Sequence, residues 1–182
     1  MKTALILAIT ALCFFCPNAL RAEETAHECR VFGLFQADCV EDLREVTKKL
    51  SGVTLVKADH RTGTATFRMD AEKLFPDAKS PEQVIEKLGS RLNGESRGVF
   101  ETYLLSALPR KKQKEVNISI AGLDCKGCSY GAYLAVYKID GVENATASFK
   151  EGAVTAWIDP NKTNRAALEE ALTKRGVTVK AD

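Results

Sequence analysis

The chain has 182 residues, 45% hydrophobic and 27% charged, with 26 basic against 24 acidic side chains. It is long enough for one ordinary domain or two small ones and can bury a core without disulfide staples. A net charge this close to zero argues against nucleic acid as a partner, because phosphate neutralisation needs a basic surface.

At the start, Lys2 precedes an apolar run over residues 4–16 that is too short to span a membrane. Pro17 and Asn18 break the run, and small residues end at Ala22 before Glu23. The pattern predicts a signal peptide over residues 1–22, cut near Ala22, and hence a periplasmic or secreted protein. Neither Cys13 nor Cys16 follows a small residue, so no lipoprotein site is expected. No second long apolar run follows, so the mature chain is expected to have no membrane span. Cleavage removes Lys2 and Arg21 and no acid, leaving 24 charges of each sign. It also leaves four cysteines, Cys29, Cys39, Cys125 and Cys128, in a compartment where disulfides persist.

Residues 33–70 laid over residues 122–159 match without a gap at ten of 38 positions, Gly33 on Gly122 and Cys39 on Cys128 among them. Gly52 falls on Gly141, Gly63 on Gly152 and Asp70 on Asp159, so glycines and aspartates recur at expected corners. This is an internal repeat. In the first copy, ECRVFGL is a strand, and Leu43, Val46 and Leu50 mark a helix. VTLVKADH and TATFRMD form a hairpin, and AEKLFPDAK a long loop. Ser80 and Pro81 open a helix whose inner stripe is Val84, Ile85, Leu88 and Leu92, and GVFETYLL is the last strand. PRKKQKE reads as a solvated connection.

The second copy repeats the order. Val116, Ile118 and Ile120 alternate along a strand, and Ala132, Ala135, Val136 and Ile139 follow at helical spacing. Gly141 ends that helix, VENATASF and AVTAWID form a hairpin, and Thr163 is placed to cap a helix carrying Ala167, Leu168, Ala171 and Leu172. Residues 177–179 make a short last strand. The expected fold is α+β: two tandem ferredoxin-like βαββαβ sandwiches, each a four-stranded antiparallel sheet with two helices on one face. The expected domains are 26–105 and 115–182, joined by a linker over 106–114.

The chemistry sits in GLDCKGC, residues 122–128. Two thiols at this spacing could be a metal clamp, a redox pair or a plain disulfide. Cys125 should lie in the loop and Cys128 in the first helical turn, where the free N–H groups and partial positive charge lower a thiol's pKa. Lys126 adds a cation, and Asp124 a carboxylate that opposes ionisation. Thiolates prefer Cu(I), Hg(II), Zn(II) or Cd(II) over hard cations. This copy has no histidine or methionine, so two thiolates are its whole offer. A structural zinc site would want four ligands.

GLDCKGC resembles the GMTCxxC loop of heavy-metal-associated domains, the modules of copper chaperones, copper-pumping ATPases and periplasmic mercury-binding proteins. The resemblance continues through Ala132, Ala135, Val136, Ile139, Gly141 and Val142, and is looser over the first copy. Leu123 stands where that family has Met, and Asp124 where it has Thr. The resemblance implies that Cys125 and Cys128 hold a soft ion, Cu(I) or Hg(II) ahead of zinc. The ion would pass to a cysteine-bearing transporter or metalloprotein, and the protein would be a non-enzymatic monomer. A disulfide-bearing interaction module and a thiol–disulfide oxidoreductase are the alternatives.

In the first copy Gln36 stands at the place of Cys125, leaving Cys39 without a partner thiol. Cys29 is read as a buried apolar residue, with a Cys29–Cys39 disulfide as the other possibility. His27 and His60 have no recognisable ligand partner. Tyr130 is read as either a shield over the loop or an ordinary helix residue, and Phe149 and Trp157 as sheet packing. The first copy is expected to be metal-free and kept for packing or partner contact.

Overall fold

A computed structural model describes residues 24–122 and 124–180. The expected signal peptide and the side chain of Leu123 lie outside these residues. The order of elements is β1 (Thr25–Phe32), α1 (Cys39–Lys48), β2 (Val53–Asp59), β3 (Thr64–Met69), α2 (Ala71–Leu74), α3 (Pro81–Glu95) and β4 (Glu101–Tyr103). A 3-10 turn over Arg110–Lys112 leads into β5 (Lys114–Ala121), α4 (Lys126–Tyr137), β6 (Val142–Ser148), β7 (Ala153–Ile158), α5 (Arg165–Lys174) and β8 (Thr178–Val179).

The strands form two antiparallel sheets, β2-β3-β1-β4 and β6-β7-β5-β8. That order with a βαββαβ chain is the ferredoxin-like sandwich expected twice over. The repeat holds to the residue: β5, β6 and β7 begin and end 89 positions after β1, β2 and β3. Both edge strands β2 and β6 carry a bulge against their partners, at Leu55/Lys57 and Val142/Asn144. Alternation does the folding: Val116, Ile118 and Ile120 of β5 face the core and the residues between them face water. Leu43, Leu88, Leu92, Leu168 and Leu172 cover the sheets from the helices. Cys29 joins this core at 0% exposure, as an apolar side chain would, and both Cys29 and Cys39 are free thiols.

Local details depart from expectation in four places. The loop after β3 contains a turn of helix, α2, because Asp70 accepts a hydrogen bond from the Lys73 N–H and caps it. The last strand of the first copy shrinks to three residues. Arg97 and Gly98, just before it, have positive φ, and beyond β4 Leu104 and Leu105 are half exposed. Asn164, not Thr163, caps α5, its side chain accepting from the Ala167 N–H at 3.2 Å, while Thr163 is buried. Finally, the connection is not wholly solvated. Arg110 lies 3.9 Å over the Trp157 ring, whose Nε1–H donates to Glu115.

The two copies also pack on each other. Phe32 and Phe35 of the first meet Tyr130, Tyr133 and Tyr137 of α4, with ring centroids 5.1–5.5 Å apart across the contact. Tyr133 is buried, and its hydroxyl accepts a hydrogen bond from the Gly33 N–H at 3.0 Å. The open edge of β6 is covered as well. Its Ala147 N–H donates to the Phe35 carbonyl, Glu143 pairs with Arg30, and Asn144 donates to the Arg61 carbonyl. A free strand edge is a template for unwanted pairing, and here the first copy removes it.

Candidate metal centre

The site is built at the end of β5, where Gly122 turns the chain with φ +78° and α4 begins. Cys125 is the N-cap of α4. Its extended backbone lets Sγ accept the Cys128 N–H at 3.2 Å, the place a serine or aspartate oxygen takes in most helices. Cys128 lies in the first turn. Both cysteines are exposed, and their Sγ atoms are 2.6 Å apart. The hydrogen bond from the Cys128 thiol, then the N–H groups of Cys128 and Gly127, hold the Cys125 thiol below its ordinary pKa, against the Asp124 carboxylate. The Cys128 thiol, with the backbone N–H groups of the helix start behind it, thus favours a thiolate at Cys125.

Lys126 behaves differently from expectation. Its ammonium turns away from the sulfurs to the first copy, 3.0 Å from Asp38 Oδ2 and 2.5 Å from Asp42 Oδ2. These carboxylates hold its pKa above the ordinary range, although partial burial opposes them.

The two thiols fit a soft ion. A thiolate–metal bond of about 2.3 Å puts the sulfurs of a linear pair roughly 4.6 Å apart. Reaching that from 2.6 Å takes a rotation of exposed side chains. Gly127 leaves the space for it, since a Cβ there would have only Cys125 Sγ nearby, at 3.7 Å. Among the described residues no cluster of three or more metal-ligating side chains occurs, so the donor set is the two thiols.

The first copy's counterpart is chemically different. Gln36 and Cys39 are both buried, and burial pushes the Cys39 thiol up to about 11. Cys29 is raised to about 12 for the same reason. His27 bonds the Thr25 hydroxyl, and His60 lies at the β2–β3 turn with its carbonyl 3.5 Å from the Asn144 amide nitrogen. Both histidines lie in the first copy, His27 on β1 and His60 between β2 and β3. Tyr130 lies in the contact between copies, tilted against Phe35 and stacked on Tyr133. Sequence reasoning missed that contact. The available signal was Tyr130, Tyr133 and Tyr137 at i, i+3 and i+7, a second apolar stripe beside the inner one.

No protein-family model matches the chain. The sequence is 24% identical over 159 residues to the copper-exporting P-type ATPase of Bacillus subtilis, covering 87% of this chain and 17% of that protein. Among solved structures it is similar to the N-terminal soluble domains of Bacillus subtilis CopA, with 21% identity, 88% of this chain, 95% of the other and a TM-score of 0.36. The CopZ metallochaperone matches at 24% identity over 37% of this chain and all of the other, with TM-score 0.36. Oxidised MerP from Ralstonia metallidurans matches at 24% identity over 37% of this chain and 94% of the other, again with TM-score 0.36.

Proposed function

We propose that this is an exported heavy-metal-associated protein that binds one soft ion, Cu(I) or Hg(II), between Cys125 and Cys128 and passes it to a cysteine-bearing partner. The observation that carries this reading is an exposed thiol pair at a helix start, one thiol already shifted toward thiolate, with no cluster of three or more metal-ligating side chains among the described residues. Two thiolates satisfy a linear ion and leave it open to attack. A partner thiolate adds to the metal, giving a three-coordinate intermediate. One Cys–metal bond then breaks, and the released thiolate takes up a proton. Repeating the exchange with a second partner thiolate completes the transfer without any change in oxidation state. An open two-ligand site suits handover, whereas a closed four-ligand site suits permanence.

Titration of the reduced protein with Cu(I) or Hg(II), followed by native mass spectrometry, tests the reading. One tightly held ion is expected, and none in the Cys125→Ser, Cys128→Ser variant. Uptake unchanged by that double substitution would end the proposal. The nearness of the two sulfurs favours one other reading, a thiol–disulfide pair. Turnover of an insulin-type disulfide substrate without ion uptake would support that one instead.

A further inference from the structure

The segment of the first copy that corresponds to the metal loop, residues 33–39, is the segment that touches the metal-loop helix. Phe35 stacks on Tyr133 and is tilted against Tyr130, the Gly33 N–H bonds Tyr133, and Asp38 holds Lys126, which lies between the two cysteines in sequence. Equivalent loops of a repeated domain therefore meet, one armed and one disarmed. Gln36 replaces a cysteine there, and Cys39 is buried with a raised pKa, so the first loop supplies no thiolate. It does fill the space along α4 that another protein would need to reach the sulfurs from that side.

The sequence is adapted to this contact. The α1 positions equivalent to Tyr130, Tyr133 and Tyr137 are Glu41, Arg44 and Lys48, at least partly exposed and two of them paired with each other. In α4 the same face is tyrosine because another domain covers it. The opposite flank is open. Ala121 pairs with Thr178, which sets the turn between α5 and β8 beside the metal loop, with Lys174 and Arg175 exposed there.

Building on the metal-exchange reading, we propose that the first domain is a cover docked in cis. It closes the α4 flank of the thiol pair to protein-sized partners. Exchange is left to the flank of the α5–β8 turn, where Lys174 is paired with Glu170 and Arg175 is exposed. The half-exposed Lys126 ion pairs are weak by themselves. The aromatic contact holds the cover down, and the ion pairs fix its register.

Alkylation of the reduced full chain tests the cover without any metal. The probes are N-ethylmaleimide and a maleimide-linked polyethylene glycol, with Cys125 and Cys128 read by mass spectrometry. In the wild type the bulky reagent should lag the small one severalfold. In the Phe35→Asp, Asp38→Lys variant the lag should largely vanish while the small reagent's rate changes less than twofold. Tyr130→Asp attacks the same contact from the other domain and serves if the first variant does not fold. NMR relaxation reports whether the domains tumble together. No lag in the wild type, or an unchanged lag in a variant whose domains tumble apart, overturns the cover. A lag that disappears on undocking supports it even if the metal titration fails, so the two readings fall separately.

Discussion

Cys125 is poised by opposing neighbours. The Cys128 thiol and N–H favour its thiolate and the Asp124 carboxylate disfavours it. Asp124→Asn removes the opposing charge, so the Cys125 pKa should fall further and its alkylation near neutral pH should rise about two- to fivefold, the scale of one exposed charge interaction. Thiolate absorbance against pH checks this. The Cys128 thiol and the N–H groups of the helix start stabilise the thiolate, so this contribution is present above the unfolded thiol's pKa and is lost as pH falls through the folded one. Metal uptake should weaken over the same range, because protons compete for the sulfur. This balance was half legible in the sequence. The spacing and the helix start gave the direction. The fate of Lys126 was not legible, because its partners lie 84 and 88 positions away in another domain.

At the scale of elements, the repeat is a controlled comparison. Gly63 and Gly152 occupy the same hairpin turn with φ +64° and +60°. A Cβ at Gly63 would come within 2.4 Å of Asn144 Oδ1 across the contact between copies, whereas at Gly152 the nearest atom is the Ile120 carbonyl oxygen at 3.4 Å. Gly152→Ala should cost about 1 kcal/mol of backbone strain. Gly63→Ala should cost roughly 2–3 kcal/mol, because it must also displace Asn144 from the Arg61 carbonyl. Urea denaturation of both variants checks the difference, and equal costs would show that the contact is loose in solution. The capping pair Ser80–Pro81 was readable because a cap is a local hydrogen bond, here from the Gln83 N–H. Asn164 displaced the expected Thr163 because both are good caps one residue apart. Burial of Thr163 decides between them, and burial is not a local property.

Across the whole molecule, Tyr133 ties the two sandwiches. Its buried ring contacts Phe32 and Phe35, and its hydroxyl serves the Gly33 N–H. Tyr133→Phe keeps the ring and leaves that N–H without a partner, at a cost of about 1–3 kcal/mol. Trp157, the single tryptophan, reports on the second domain, while far-UV circular dichroism reports on both. The two signals should melt together in the wild type and begin to separate in Tyr133→Phe. Early separation in the wild type would mean that the domains unfold independently.

The sequence by itself determined the repeat, the two sandwiches and the thiol pair. Each of these is written in spacing along one chain: period-two strands, period-3.6 helices, glycines at corners, and two cysteines around a helix start. Tertiary structure alone decided where Lys126 points, what the tyrosine stripe covers and which segment of the first copy meets α4. Those outcomes depend on which surfaces of two folded units meet, and side-chain periodicity within one unit carries no record of the neighbour it faces.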